Sequence, residues 1–249
     1  MQLETKTIKK YFQKSIDEYI KNAVVQKIMA QKLVSALPEQ EFENVLEIGA
    51  GAGLLTAEAA GNIKFQSYYA NDLVEKSECF VKKYIPEAKF FAGDFRRINY
   101  KKKFDLLLAN AVFQWCSNLD KVFSRCSELL NNEGLLAFSS FLPENFKEFY
   151  SVTGLTLPYK SADELEKLLN SKFDIISFEH FEYKMNFDNP LQILSHMKKT
   201  GVNSLSDKTW GVKDIKLFCD KYKEDFPNLD LTYSPIIVIA KNKENIFEL

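Results

Sequence analysis

Apolar and polar residues alternate along this chain in blocks that predict strands and helices in turn. Short apolar runs with β-branched or aromatic residues predict strands at residues 45–48, 67–70, 89–92, 105–109 and 135–139. Between these runs, apolar residues recur near helical spacing and predict helices at 54–60, 75–84 and 119–130. Alternation on this scale predicts a parallel sheet with helices on both faces. In such sheets, ligands bind at the carboxyl ends of the strands.

The two ends of the chain carry the remaining predicted elements. Apolar residues at helical spacing predict a helix over residues 6–37, which Pro38 ends. Residues 143–160 form a long connection with aromatic residues, and we interpret it as a functional lid. Beyond it, the pattern predicts a helix at 162–169, a strand at 174–183, helices at 190–200 and 213–222, and a terminal strand at 231–240. Pro235 stands near the start of that strand, which we expect to complete the sheet.

No internal repeat, low-complexity linker or compositional break divides the sequence, so we expect one domain over residues 1–249. Within it we distinguish an N-terminal helical segment (1–40), a ligand-binding core (41–140), a substrate-side cap with late sheet elements (141–230) and a terminal strand (231–249).

Composition and charge narrow the function classes. The chain is 46 % hydrophobic and 27 % charged with a net charge of −1, which gives no argument for nucleic-acid or membrane binding. Its apolar runs are too short to span a bilayer, and its first residues lack the apolar core of a signal peptide. Four separated cysteines and two histidines predict neither a metal site nor a disulfide framework. We therefore expect a cytoplasmic protein.

A glycine-rich loop follows the first predicted strand and precedes a predicted helix. Gly49, Gly51 and Gly53 have G-x-G-x-G spacing, and Glu47 lies two residues before Gly49. Glycine adopts backbone angles closed to other residues and lets a ligand lie against the main chain. The helix that follows presents unpaired N–H groups at this turn. The loop predicts a nucleotide-containing ligand, and a glycine-rich turn of some other α/β fold is the alternative.

Polar residues also follow the later predicted strands. Asp72 ends the second strand, where its carboxylate can accept hydrogen bonds from both hydroxyls of a ribose. Asp94 follows the third strand and can accept from an adenine amino group, while Phe95 covers the ring face. A loop-capping role is the alternative for Asp94, and an ordinary turn role is the alternative for Asn110 after the fourth strand. These residues should converge on one edge of the sheet.

The spacing of Glu47 and the three glycines resembles motif I of the class I S-adenosylmethionine-dependent methyltransferases. Nearly the whole chain resembles one family among them, the malonyl-[acyl-carrier protein] O-methyltransferases that start biotin synthesis (the BioC family). The similar segments are residues 8–12, Tyr19, the region of Gln26, residues 108–119 with Gln114-Trp115, 137–141, 197–203 and 231–233. The chain departs from the family at three positions of the loop: the family often has Asp in place of Glu47, Cys in place of Ala50, and Pro or Thr in place of Ala52. The stretch after Phe141 also matches the family poorly.

The resemblance implies a Rossmann-like class I methyltransferase fold, with a mostly parallel seven-stranded sheet and a helical cap over the substrate side. The implied reaction methylates the free carboxylate of a malonyl thioester with S-adenosyl-L-methionine and releases S-adenosylhomocysteine. The implied partner is malonyl-acyl-carrier protein, with malonyl-coenzyme A as an alternative acceptor, and a monomer is expected. Lys6, Lys9, Lys10 and Lys14, or residues 101–103, could meet an acidic carrier protein; solvated lysines are the alternative.

The candidate site residues fall into three groups. Those predicted to bind the cofactor are Phe12, Glu47, Gly49, Gly51, Gly53, Asp72, Leu73, Asp94, Phe95 and Asn110, the last near the methionine part. Those predicted to bind the substrate are Tyr11, Gln114, Trp115 and Lys199. Tyr19 and Lys198 are candidate orienting groups, and no catalytic base or metal ligand is assigned. The alternative for Phe12 and Tyr19 is that they are ordinary aromatic residues of the core. The alternative for Lys198 and Lys199 is that they are solvated lysines on a helix surface.

Other functions share these features. A methyltransferase acting on another small-molecule acceptor would keep the fold and the cofactor. A scaffold protein that binds the cofactor without turnover would keep the glycine loop as well. Nucleic-acid methylation is disfavoured because the sequence has no basic stripe and no Asn/Asp-Pro-Pro-Tyr/Phe motif after the fourth predicted strand.

Overall fold

The computed structural model describes residues 19–200 and 210–243. The strands in this part of the chain are β1 (Glu41–Ile48), β2 (Lys64–Asp72), β3 (Lys89–Ala92), β4 (Phe104–Asn110), β5 (Leu130–Phe141), β6 (Phe173–His180), β7 (Tyr183–Asn186), β8 (Asp230–Tyr233) and β9 (Pro235–Asn242). The helices are α1 (Val24–Ser35), α2 (Leu54–Asn62), α3 (Ser77–Tyr84), α4 (Leu119–Leu129), α5 (Lys147–Thr153), α6 (Ala162–Leu169), α7 (Pro190–Lys199) and α8 (Val212–Asp225).

Seven of these strands form one sheet in the order β3-β2-β1-β4-β5-β9-β6. The pairs β1–β2, β1–β4, β2–β3 and β4–β5 are parallel, and β9 is antiparallel to β5 and β6. The predicted mostly parallel seven-stranded sheet is therefore confirmed. The chain moves outward from β1 to β3 and then returns to the other side of β1 as β4. This reversal opens a crevice at the carboxyl ends of β1 and β4.

The apolar pattern of β1 explains why helices cover both faces of the sheet. Val45 packs into the apolar cluster on one face, whereas Leu46 and Ile48 pack into the cluster on the other. Successive side chains of a strand point to opposite faces, so a continuous apolar run needs cover on both sides. Helices α1 and α2 contribute to the first cluster, and α4 and α6 contribute to the second.

The cap consists of α5, α7, α8 and a separate two-stranded ribbon of β7 and β8. Phe218 of α8 contacts Phe149 of α5 and Trp210, with ring centroids 5.7 and 5.5 Å apart. The buried carboxylate of Glu148 accepts hydrogen bonds from the main-chain N–H and the hydroxyl of Thr232. Phe149, Phe218 and Trp210 pack in one apolar cluster with α1 and the first face of the sheet. The division of the chain at residues 40, 140 and 230 stays a prediction.

The predicted core elements are all present, with strands longer than predicted. β1, β2, β4 and β5 extend beyond the predicted apolar runs, and β3 has the predicted bounds. Helices α2, α3 and α4 differ from their predicted bounds by two residues or fewer. Of the predicted helix over 6–37, residues 6–18 lie outside the described residues. The rest is helical at 19–22, is interrupted at Ala23 and continues as α1.

Three predictions for the later chain were wrong. The terminal strand does not run from 231 to 240, because it divides at Ser234 into β8 of the ribbon and β9 of the main sheet. The predicted strand 174–183 likewise divides into β6 and β7, and the connection 143–160 contains α5. At Ser234 the N–H donates to the Asn145 side chain and the carbonyl accepts from Leu142 N–H. These tertiary contacts divide an apolar run whose own pattern is continuous.

No helix in the described part of the chain is long and apolar enough to cross a membrane.

Candidate active site

A cleft opens at the carboxyl ends of β1, β2, β3 and β4, as the strand order requires. It encloses about 1260 Å³ including its open mouth. Predicted cofactor residues that line it are Glu47, Gly49, Gly51, Asp72, Leu73, Asp94, Phe95 and Asn110, together with Tyr19 and Trp115. Gly53 is the N-cap of α2 directly behind the loop. The predicted convergence on one sheet edge is therefore present, whereas Phe12 lies outside the described residues.

The glycine loop is held in a conformation that requires glycine. Gly49, Gly51 and Gly53 have φ values of +71, +52 and +74°, which L side chains rarely adopt. A Cβ on Gly49 would lie 2.4 Å from Cγ2 of Val112, and a Cβ on Gly53 would lie 3.2 Å from the carbonyl oxygen of Phe80. Any other residue at these three positions would therefore have a strained backbone, and at Gly49 and Gly53 its Cβ would also be too close to Val112 or Phe80.

Asp72 joins the glycine loop to the end of β2. Its Oδ2 accepts from Gly51 N–H at 2.8 Å, and its Oδ1 accepts from Val74 N–H at 2.7 Å. These two main-chain bonds fix the plane of the carboxylate. Asp72 therefore orders the loop and also lines the cleft.

Asp94 is paired with a residue that the sequence analysis missed. Arg96 donates from Nε to Oδ1 at 2.8 Å and from Nη2 to Oδ2 at 2.6 Å, and its N–H also lies 3.1 Å from Oδ1. Partial burial opposes ionisation of Asp94, but the hydrogen bonds and charge of Arg96 outweigh it and hold the pKa of Asp94 below its usual value. Asp94 therefore stays ionised, with a guanidinium fixing its orientation. Arg96 also lines the cleft.

Glu47 is buried beneath the glycine loop. Its Oε2 accepts from Thr56 Oγ1 at 2.6 Å and from Tyr68 OH at 2.8 Å. Its Oε1 is buried and has no hydrogen-bond partner among the described residues. Burial raises the pKa of Glu47 to about 7, against the opposing effect of the two hydroxyl donors. A buried acceptor of this kind is suited to a cationic or N–H donor on a ligand.

The side chain of Asn110 connects β4 to helix α1 by a hydrogen bond. Its Nδ2 donates to the main-chain oxygen of Gln26 at 2.9 Å, and its Oδ1 accepts from Ser139 Oγ at 2.5 Å. Both ends of the side-chain amide are therefore used within the protein. The main chain of Asn110 is therefore better placed than its side chain for the predicted contact with the methionine part of the cofactor.

A second, smaller cavity adjoins the cleft. The described residues that line it are Tyr19, Gln26, Ala111, Gln114, Trp115, Phe141, Phe146, Leu157, Tyr159 and Thr200. Tyr19, Ala111 and Trp115 line both spaces. None of these lining residues carries a formal charge. The two spaces thus adjoin at Tyr19 and Trp115.

The predicted substrate-side residues are distributed unevenly. Gln114 lines the smaller cavity, but its Nε2 donates to Ala111 O at 2.7 Å and its Oε1 accepts from Ser140 Oγ at 3.5 Å. Lys198 is exposed and Lys199 is half-buried at the end of α7, and neither lines either space. Tyr11 lies outside the described residues. α7 buries His196 and Met197, and the roles predicted for Lys198 and Lys199 stay predictions.

Several buried polar pairs on the cap side of the molecule could not be found from local sequence signals. His196 Nε2 lies 2.6 Å from Tyr233 OH, and burial lowers the pKa of His196 to about 4, with a smaller contribution from Lys199. Asn145 Nδ2 donates to Tyr159 OH at 3.0 Å. These pairs join segments that are distant in the sequence. A buried polar residue within an apolar helical pattern, such as Gln26, is the one available signal.

The chain is similar to known methyltransferases. A family described as a methyltransferase domain matches residues 46–138. The malonyl-[acyl-carrier protein] O-methyltransferase of Calditerrivibrio nitroreducens is 34 % identical over 249 residues, covering 97 % of this chain and 99 % of that protein. The protein of the same name from Bacteroides thetaiotaomicron is 32 % identical over 251 residues, covering 94 % and 96 %.

Solved structures show the same fold at low sequence identity. N-methyltransferase NodS from Bradyrhizobium japonicum, in complex with S-adenosyl-L-homocysteine, has a TM-score of 0.60 at 12 % identity and covers 96 % of this chain and 100 % of its own. A putative methyltransferase from Bacillus halodurans has a TM-score of 0.62 at 16 % identity, with coverages of 86 % and 99 %. The class I methyltransferase fold predicted from the sequence is confirmed.

Proposed function

The chain belongs to the malonyl-[acyl-carrier protein] O-methyltransferase family, and on this premise we propose its reaction and the residues that serve it. It transfers a methyl group from S-adenosyl-L-methionine to the free carboxylate of malonyl-acyl-carrier protein. The methyl ester then enters biotin synthesis. The observation that carries the proposal is the junction at Tyr19 and Trp115, where a cleft lined by acidic side chains meets an uncharged cavity.

The cleft is suited to this cofactor. The close-packed glycine loop gives the cofactor a main-chain surface, and a Cβ at Gly49 would disrupt it. Asp72 is the acceptor for the ribose hydroxyls, and Asp94 with Phe95 receives the adenine. Glu47 Oε1, which has no hydrogen-bond partner among residues 19–200 and 210–243, is a buried acceptor for the methionyl ammonium group. S-adenosyl-L-methionine supplies an electrophilic methyl group on a sulfonium sulfur.

The protein needs no general base for this reaction. A carboxylic acid is ionised at neutral pH, so no proton has to be removed before the oxygen attacks. An oxygen lone pair forms the new O–C bond while the C–S bond breaks and its electron pair returns to sulfur. The residues around the junction exclude water and hold the attacking oxygen in line with the methyl carbon. The absence of a catalytic dyad in the proposal follows from this chemistry.

We assign Tyr19 as an orienting group, because it lines both spaces and stands where the two reactants meet. Trp115 is assigned to the wall between them on the same ground. Gln114 is a structural support for that wall, since both ends of its amide are paired within the protein. Lys198 and Lys199 receive no role at the carboxylate. Phe12 and Tyr11 stay as predicted neighbours of the site.

The carrier protein is proposed to approach from the cap side. Residues 101–103 precede β4 and therefore stand at the amino end of a strand whose carboxyl end lines the cleft. Those lysines face the wrong edge for a carrier that delivers its acyl group to the smaller cavity. Lys6, Lys9, Lys10 and Lys14 lie outside the described residues. We further propose that malonyl-coenzyme A is a weaker acceptor and that the enzyme acts as a monomer.

Mass spectrometry tests the reaction directly. Malonyl-acyl-carrier protein and malonyl-coenzyme A are incubated separately with the enzyme and S-adenosyl-L-methionine. We expect a gain of one methyl group on the carrier-linked malonyl, and none when the cofactor is omitted. If calorimetry shows cofactor binding but neither thioester gains mass, the proposed acceptor is wrong and another small-molecule carboxylate must be sought.

A further inference from the structure

The smaller cavity contains a buried amide with an unused polar end. Gln26 is 5 % exposed and lines this cavity, and its Oε1 has no hydrogen-bond partner among the described residues. A half-turn of the terminal amide exchanges Oε1 and Nε2 within nearly the same volume. The side chain can therefore present N–H donors to whatever occupies the cavity. A buried polar group in this position normally has a partner.

The main chain of Gln26 is fixed independently of its side chain. Asn110 Nδ2 donates to the Gln26 carbonyl oxygen at 2.9 Å, and Ser139 Oγ holds the other end of Asn110 at 2.5 Å. Residues of β4 and β5 thus hold α1 over the strand ends. Changing the Gln26 side chain removes none of these bonds.

Tyr159 provides a second uncharged donor in the same cavity. Its hydroxyl oxygen accepts from Asn145 Nδ2 at 3.0 Å, and Asn145 Oδ1 accepts from Ser234 N–H at 3.2 Å. The phenolic proton is thereby left for an acceptor in the cavity, and accepting one hydrogen bond polarises the hydroxyl as a donor. Burial raises the pKa of Tyr159, so that the proton is retained.

We propose that the Gln26 amide and the Tyr159 hydroxyl bind the malonyl carboxylate as a pair of neutral donors. This inference rests on the proposed function and identifies the acceptor-binding residues. The carboxylate loses its charge as the methyl group arrives. A lysine or arginine would bind it more strongly before transfer than during transfer and would raise the barrier. Neutral dipoles orient the same oxygens with a smaller loss, which accounts for a carboxylate site lined by uncharged described residues.

The first test compares Gln26→Met with Gln31→Met. Met keeps most of the Gln volume but has no N–H donor, and Gln31 is an exposed glutamine on the same helix. Binding of malonyl-coenzyme A and of acetyl-coenzyme A, which lacks the carboxylate, is measured on the protein saturated with S-adenosylhomocysteine. We expect Gln26→Met to weaken malonyl-coenzyme A binding by about 10- to 100-fold, as for a lost hydrogen bond to a charged group. Binding of acetyl-coenzyme A and of S-adenosylhomocysteine should be unchanged.

Tyr159→Phe is the second variant and removes only the hydroxyl. We expect it to raise KM for the malonyl thioester by about tenfold with little change in kcat. The inference is overturned if both variants bind malonyl-coenzyme A as tightly as wild type, or if they weaken both thioesters equally. If wild-type protein binds S-adenosylhomocysteine but methylates no malonyl thioester, the proposed function has failed before this inference is reached.

Discussion

The cleft and the smaller cavity meet at Tyr19 and Trp115, yet they are built in different ways. Ionisable side chains line the cleft, including Glu47, Asp72 and the Asp94–Arg96 pair. Tyr19 and Tyr159 are the ionisable residues in the described lining of the smaller cavity, and none of its described residues carries a formal charge. The difference matches the chemistry of the two proposed ligands. The cofactor keeps its ribose, adenine and ammonium contacts through the reaction, whereas the acceptor carboxylate loses its charge.

The largest effect should come from a substitution in the glycine loop, which should weaken cofactor binding in the cleft and leave the smaller cavity unchanged. Gly49→Ala places a Cβ 2.4 Å from Val112 at a φ of +71°. Strain and overpacking together cost about 3 kcal/mol in this loop conformation, so the free variant relaxes the loop and must restore the strained conformation when the cofactor binds. We expect S-adenosylhomocysteine binding to weaken by roughly 100-fold in calorimetry. Gly61→Ala is the matched control, because a Cβ there meets nothing within 4 Å. Equal binding by Gly49→Ala and wild type would mean that the loop is not the cofactor cradle.

A second effect of similar size concerns the cap, where the buried side chain of His196 makes the stability of the protein depend on acid. The pKa of His196 is lowered from 6.5 to about 4, so the folded state binds fewer protons than the unfolded state between these values. The stabilisation due to neutral His196 is present above pH 6.5 and is lost as pH falls through about 4. The full shift corresponds to about 3 kcal/mol.

Urea unfolding of His196→Gln from pH 7.5 to 4 tests this dependence. The variant should lose less stability on acidification than wild type does. His180→Gln, at the exposed histidine of β6, is the control and should follow the wild-type curve. Parallel curves for His196→Gln and wild type would contradict the prediction.

The smallest effect is expected at Glu47, with the opposite sign. Its pKa is raised from 4.5 to about 7, so its stabilising contribution is complete below pH 4.5 and is lost as pH rises through about 7. Glu47→Gln should therefore raise the free energy of unfolding of the cofactor-free protein at pH 8 by about 1 kcal/mol. The gain is below the full shift because the amide must still satisfy Thr56 and Tyr68.

A binding measurement on Glu47→Gln tests the second role of this residue, which is to bind the cofactor in the cleft. The same variant should bind S-adenosylhomocysteine about tenfold more weakly, because the charged acceptor for the ammonium group is gone. Glu43→Gln, at an exposed position of β1, should change neither quantity. A variant that is no more stable at pH 8 would show that Glu47 is not held in a high-energy ionised state.

The sequence was most informative where structure is local. The β1 apolar run, the three glycines and Asp72 follow one another within a single strand-loop-helix-strand unit, so their pattern predicted both the fold and the cleft. The terminal run could not be divided from its pattern, because Ser234 is fixed by Asn145 and Leu142, far away in the sequence. The roles predicted for Lys198 and Lys199 depend on a related point. A motif match gives the residues of a helix but not the face that packs inward.

By itself, the sequence determined the parallel sheet, the glycine loop and the acidic residues after the strands, because apolar periodicity and glycine conformation act over a few residues. Only the tertiary structure decided how the acceptor side is built. Gln26 faces the cavity because Asn110 and Ser139 hold its helix, and Tyr159 presents its proton because Asn145 occupies its oxygen. Such contacts join segments far apart in the chain. Their partners are chosen by packing of the whole molecule, which no local pattern records.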